Sequence, residues 1–159
     1  MPTYQHVFQQ SLYCAAFKLW VRAEWTHNDL LFKIEPILIL TDQNESGNAP
    51  ARLITHLLDN MEEVRFGKQP VLKLATSRSV FEENIRQALW QIKPGKPMTY
   101  GQIARNLNKP GGAQAVGQAC ARNSLTLVVP CHRIIGAHSL GGYRWGLPTK
   151  QKLLEIEAN

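Results

Sequence analysis

Along the first half of the chain the apolar positions change rhythm twice. Leu30, Phe32 and Ile34 alternate after the turn-forming run His27-Asn28-Asp29, and period-two alternation beyond such a turn predicts a β-hairpin. Strands are expected over residues 11–17, 19–26 and 30–40, the last interrupted by Pro36. The polar run T-D-Q-N-E-S-G-N-A-P at 41–50 reads as a loop. Beyond it Leu53, Ile54, Leu57, Leu58 and Met61 recur at helical spacing, which predicts a helix from 51 to about 64. Residues 66–76, with Gly67 and Pro70, read as a linker with a short strand, so a domain boundary is placed near residue 78.

The second half reads as helices. Ser79 stands three residues before Glu82, the capping-box spacing, and Phe81, Ile85, Leu89 and Ile92 share one face of a helix that stops at Pro94-Gly95. Thr99 caps a short helix over 100–107, Asn108-Lys109-Pro110-Gly111-Gly112 breaks the chain, and a second helix covers 113–122. Two short helices across a Gly-containing turn predict a helix-turn-helix. The apolar run 125–129 is expected to be a strand leading into Pro130-Cys131-His132-Arg133-Ile134-Ile135. A Gly-rich turn at Gly141-Gly142-Tyr143 and a terminal helix over 149–157 complete a winged-helix arrangement. The fold class expected is an α/β N-terminal domain over 1–78, a small sheet plus helix, and a mainly helical winged-helix/helix-turn-helix C-terminal domain over 79–159.

Composition narrows the class. The chain has 159 residues, 44% hydrophobic and 19% charged, which is globular and excludes long disorder or a coiled coil. No apolar run approaches the ~20 residues of a membrane span, and the N-terminus lacks the basic stretch and apolar core of an export signal. A cytoplasmic protein with no membrane partner is expected. Charge is divided unevenly: the net +6 lies wholly in 79–159, where no acidic residue stands between Glu83 and Glu155. One sign over so long a stretch points to a polyanion, with nucleic acid as the leading candidate. That reading favours groove approach over core packing for the small-residue helix A-Q-A-V-G-Q-A-C-A-R, and assigns most of the salt-dependent attraction to 79–159.

The candidate chemistry is a thiol. Cys14, Cys120 and Cys131 cannot all pair with one another, and free thiols are expected. A structural zinc would need ligands as scattered as His6, Cys14, His27 and His56, so neither a metal nor any other cofactor is expected. Cys131 follows an apolar run and is flanked by His132 and Arg133, whose positive charge would lower its pKa and favour the nucleophilic thiolate. In an extended segment adjacent side chains point to opposite sides, so a direct Cys–His pair would need a bend or an intervening water.

The run P-C-H-R-I-I-G, preceded by A-V-G-Q-A-C-A-R-N-S-L-T-L-V-V and followed by G-G-Y-R-W-G-L-P-T-K-Q-K-L-L-E-I-E, resembles the methylated-DNA–protein-cysteine methyltransferases, or O6-alkylguanine-DNA alkyltransferases. The resemblance covers essentially all of 79–159; the N-terminal half is similar only in layout. It implies direct-reversal DNA repair, in which Cys131 accepts an alkyl group from O6-alkylguanine in double-stranded DNA. His132 takes the thiol proton through a water, Glu157 orients the imidazole, and Tyr100 gives a proton to the departing guanine. It also implies that Asn123 is the hinge between recognition helix and active-site strand. Backbone carbonyls near Cys131 and Ile134 read the guanine amine, and backbone donors around Tyr143 and Arg144 hold its oxygen. Arg133 is read as structural, with a phosphate contact as the alternative. The resemblance implies a monomer and leaves cooperative binding open.

Two positions depart from the family. Gln114 stands where an arginine finger is usual, and supplies hydrogen bonds to an orphaned base but no charge. Trp145 replaces a pocket-loop glycine found in many members and should narrow the pocket. Two other readings compete: a helix-turn-helix lesion sensor without transfer, disfavoured because Cys131 is present, and a Cys-His hydrolase, disfavoured because no oxyanion-type glycine signature accompanies the thiol.

Overall fold

A computed structural model of the chain describes residues 8–17, 19–25, 31–37, 51–72 and 74–159. Strands β1 (Phe8–Cys14), β2 (Leu19–Trp25) and β3 (Leu31–Ile37) form an antiparallel sheet in the order β1-β2-β3. Pairing closes at Cys14↔Leu19, so residues 15–17, expected as strand, form the reversal instead. Pro36 does not interrupt β3: it lies opposite Val21 on an edge strand, where proline is tolerated. The expected Leu30-Phe32-Ile34 alternation is also broken. The register shifts between Glu24 and Trp25, and both Leu31 and Ile34 are buried. The turn expected at 27–29 and the polar loop at 41–50 lie outside the described residues, as do His6 and His27.

Helix α1 (Ala51–Arg65) buries Leu57, Met61 and Val64 on one stripe. Gly67, at φ 85°, closes it by donating its N–H to the Val64 carbonyl at 3.0 Å, while Lys68 N–H reaches the Glu63 carbonyl. That left-handed closure favours glycine. Helix α2 (Val80–Gln91) starts on Ser79, whose Oγ accepts the Glu82 N–H at 3.2 Å. Only this half of the expected capping box forms, because the Glu82 carboxylate takes Arg78 N–H and the Arg122 guanidinium. A complete box forms instead at Thr99, reciprocally bonded with Gln102, where strand β4 (Met98–Thr99) passes into α3 (Tyr100–Asn106).

Helices α3 and α4 (Ala113–Ala121) pack across a turn containing Asn108 and Gly111 at positive φ. Val116 and Ala119 face the core, and Gln114, Ala115 and Gln118 face outward. Residues 125–129 are not the expected strand. Leu127 has φ 69°, the Val129 N–H folds back to the Leu125 carbonyl at 2.8 Å, and the pairing is limited to isolated bridges, Ile34↔Leu125 and Thr126↔Val129. An apolar run alone does not separate a buried strand from a buried turn. The turn stays buried because its polar groups are satisfied: Trp90 Nε1 donates to the Val128 carbonyl at 2.8 Å and Asn123 donates to that of Val129 at 3.1 Å.

A one-turn 3₁₀ helix, Cys131–Arg133, leads to β5 (Ile134–Ile135), which pairs in parallel with β4. Residues 136–146 carry no strand, and α5 (Leu147–Ala158) begins two residues earlier than expected, behind Gly146 and with Pro148 in its first turn. One continuous hydrophobic cluster runs from Phe17, Trp25 and Ile34 through Leu89 and Leu125 to Cys131 and Leu153. Among the described residues no helix is long and apolar enough to cross a membrane.

Candidate active site

Cys131 opens the 3₁₀ turn, only 5% exposed. The turn supplies the bend that an extended segment lacks, so His132 follows Cys131 without pointing to the far side of a strand. Asn123, just past α4, arranges the thiol. Its Nδ2 lies 3.1 Å from the Cys131 sulfur and 3.1 Å from the Val129 carbonyl, while its Oδ1 accepts the Leu125 N–H at 3.0 Å. One amide thus joins the end of α4, the buried turn and the sulfur.

His132 is fully buried, its Nε2 3.0 Å from Glu157 Oε1 and its ring edge-on to Phe17 at 5.9 Å between centroids. Nδ1 makes no hydrogen bond within the described residues. Burial lowers the imidazole pKa, opposed by Glu157, so the ring is neutral at rest. Burial likewise raises the Cys131 thiol, although Asn123 and the Lys150 cation pull it down. The flanking positive charge invoked from sequence therefore does not win, and the resting pair is thiol and neutral imidazole.

Arg133 is 1% exposed, which excludes the phosphate contact. Its guanidinium grips Glu157 with Nε 3.0 Å from Oε2 and Nη2 2.7 Å from Oε1, and donates to the carbonyls of Ile92 and Val64. Burial alone would raise the Glu157 carboxyl, but the hydrogen bonds of His132 and Arg133 hold it below the usual carboxylate range. Arg133 thus fixes an ionised Glu157 against His132, using the C-terminal ends of α1 and α2 as anchors.

Tyr100, half buried at the start of α3, lies between two glycines. A Cβ on Gly117 would stand 3.7 Å from its ring, and one on Gly141 would meet Cε2 at 2.8 Å and the hydroxyl at 3.0 Å. Burial raises its pKa, so the phenol keeps its proton. Gly141, at φ 71°, is doubly restricted. Gly141→Ala is expected to cost about 1–3 kcal/mol from the strained backbone alone, to displace Tyr100, and to slow chemistry that uses its hydroxyl. Urea unfolding together with single-turnover rates checks both effects.

Tyr143 holds Thr126 through its hydroxyl at 2.9 Å, and its ring meets Trp145 edge-on at 5.4 Å. The exposed Arg144 lies over the Trp145 ring at 5.8 Å. Ile134 is fully buried, while Gln114 is exposed near the start of α4. Sequence reasoning missed Lys150. It is fully buried, its ammonium donating to the Leu140 and Gly142 carbonyls at 2.6 and 3.0 Å, 5.9 Å from the Tyr100 ring centre. It fastens the Gly141 loop beside Tyr100. The signal was present in the spacing: Lys150, Leu153 and Glu157 form an i, i+3, i+7 stripe on α5, and all three are buried. Of the scattered metal-ligand candidates, Cys14 is buried and His56 is exposed on α1.

The family described as "6-O-methylguanine DNA methyltransferase, DNA binding domain" matches residues 80–159. The bifunctional transcriptional activator/DNA repair enzyme Ada of Escherichia coli is 37% identical over 115 residues, 70% of this chain and 32% of Ada. A methylated-DNA–protein-cysteine methyltransferase of Methanosarcina acetivorans is 43% identical over 89 residues, 55% of this chain and 57% of that protein. The chain thus spans from a third to just over half the length of these curated relatives. The crystal structure of Mycobacterium tuberculosis OGT in complex with DNA superposes with a TM-score of 0.73 at 26% identity, covering 94% of this chain and 92% of that one.

Proposed function

Since this chain belongs to the O6-methylguanine DNA methyltransferase family, we propose that it repairs DNA by direct reversal, moving the alkyl group of O6-alkylguanine irreversibly to Cys131. The observation that carries this reading is the buried Cys131-His132 turn with Glu157 3.0 Å from the imidazole. That arrangement suits a thiol that must be deprotonated on demand.

The proton leaves Sγ for His132, relayed by a water to Nδ1, and Glu157 on the other ring nitrogen stabilises the imidazolium that forms. The sulfur then attacks the alkyl carbon in line. The C–S bond forms as the C–O bond breaks, the electron pair stays with the guanine, and the Tyr100 hydroxyl supplies its proton. Water does not readily hydrolyse the thioether, so each chain acts once, as a monomer, and without a cofactor.

The target oxygen lies within the base stack, and the nucleotide must be flipped out to reach a sulfur this buried. In this reading α3 and α4 form the helix-turn-helix that enters the groove, Gln114 fills the vacated space by hydrogen bonding alone, and Trp145 limits the alkyl group. Residues 1–78 act as scaffold for the site. Three contacts support that role: Ile34 N–H to the Ser124 carbonyl at 2.7 Å, Phe17 against His132, and the Val64 carbonyl on Arg133.

Incubation with duplex DNA bearing O6-methylguanine tests the proposal, since lesion loss should stop at one per chain. Continued turnover, or none, would refute it. The pH profile follows from the resting state. Because His132 must be neutral to accept the proton and burial lowers its pKa, the single-turnover rate should hold through neutrality and fall only below about pH 6.5, the ordinary imidazole value. A rate that rose toward acid would contradict the base assigned to His132.

A further inference from the structure

Counting charges along the sequence overstates what 79–159 offers to DNA. Arg133 and Lys150 are buried, and Arg86 and Arg122 pair with Glu83 and Glu82 at 3.4 and 2.7 Å. On α4 itself the outward residues Gln114, Ala115 and Gln118 are uncharged. A groove-entering helix without a free cation leaves the phosphate attraction to some other surface.

A cleft of about 410 Å³ lies at the C-terminal end of α4. Its lining includes five cations, of which Lys33 from β3 is bonded to Glu24 at 3.1 Å, Arg86 to Glu83 and Arg122 to Glu82, leaving Arg78 and Arg144. Glu82 is already engaged by Arg122 and the Arg78 N–H. Among the described residues neither Arg78 nor Arg144 has a carboxylate partner: Arg144 rests on Trp145 and the exposed Arg78 stands where the chain enters α2. Cys131, Tyr100 and Tyr143 do not line the cleft. It nevertheless adjoins the thiol, because its wall includes Asn123, whose amide contacts the Cys131 sulfur.

We propose that this cleft, at the seam between β3, residues 75–78 and the end of α4, holds a phosphodiester of the DNA strand next to the flipped nucleotide. The inference rests on the alkyl-transfer reading for its partner, and it gives the N-terminal half a direct part in DNA binding. A strand leaving the groove at the end of α4 meets a recess lined by two guanidiniums that have no carboxylate partner among the described residues. Arginine is suited to that task because its planar fork matches phosphate oxygens.

The test compares Arg78→Gln with Lys93→Gln, which removes the same charge from an exposed position past the other end of α2, about 20 Å away along the helix. Affinity for undamaged duplex is measured against salt by fluorescence anisotropy. Arg78→Gln should weaken binding several-fold and reduce the log–log salt slope by about 0.9, the loss of one phosphate contact. Lys93→Gln should change the slope little, and Arg78→Lys should restore most of it. Equal losses in Arg78→Gln and Lys93→Gln, or none in Arg78→Gln, would overturn the proposal. Transfer from a free alkylated base is followed in parallel. Its persistence in Arg78→Gln separates lost DNA binding from lost chemistry, whereas its absence in the unmodified protein would count against alkyl transfer and leave the cleft result standing.

Discussion

Arg133→Met is expected to destabilise the fold by about 3–5 kcal/mol, the usual cost of removing one partner from a buried ion pair. The substitution leaves Glu157 buried without its guanidinium and strips a donor from the Val64 and Ile92 carbonyls. Because those carbonyls end α1 and α2, the loss loosens the attachment of both helices to the site. The acid response should change as well. Glu157 is held below the usual carboxylate range, so the unfolded chain binds more protons than the folded one as pH falls. Its stabilisation is complete above the ordinary carboxylate range and is lost as pH drops through the folded value. Without Arg133 the folded value rises and acid unfolding should begin at higher pH. Urea midpoints for both proteins from about pH 7 to about pH 4 check the cost and its pH dependence.

Cys131→Ala should abolish alkyl transfer while leaving DNA affinity within a few-fold of the parent. The thiol is 5% exposed and contributes no charge to the surface, so nothing that attracts phosphate is removed. Cys14 and Cys120 offer no substitute. Burial raises both thiols, as it raises Cys131, but neither adjoins the His132–Glu157 pair in sequence. Cys14→Ala and Cys120→Ala should accordingly retain stoichiometric transfer. If either lost it while folded, the nucleophile would have to be reassigned.

The candidate residues were visible in the sequence, but the flanking charge invoked to activate Cys131 is outweighed by its burial. Cys131 beside His132 and Arg133 stood out as a candidate thiol, and its role as acceptor, like those of Tyr100 and Glu157, followed from the resemblance. Turns were harder. At 125–129 an unbroken apolar run looked like a strand because hydrophobicity reports burial rather than backbone direction, and the positive φ of Leu127 leaves no mark on composition. Capping was half legible for a related reason: Ser79 and Glu82 had the spacing of a box, but Arg122, distant in sequence, claimed the carboxylate. The same distance effect hid the role of Lys150 and the partners of Arg133, which reads as structural in the sequence. A charge count treats every cation as solvent-facing, whereas these two are consumed inside the protein, one by Glu157 and two helix ends, the other by the Gly141 loop.

If Cys131 accepts the alkyl group, repair of guanine O6 in DNA leaves the protein permanently modified at that residue. The most direct measurement is intact mass of the protein after incubation with excess duplex carrying O6-methylguanine, followed by fragmentation of the modified peptide. Every active chain is expected to gain the mass of one methylene group, a gain that survives denaturation and maps to Cys131 alone. An unmodified protein alongside repaired DNA, or a methyl group located on Cys14 or Cys120, would contradict it.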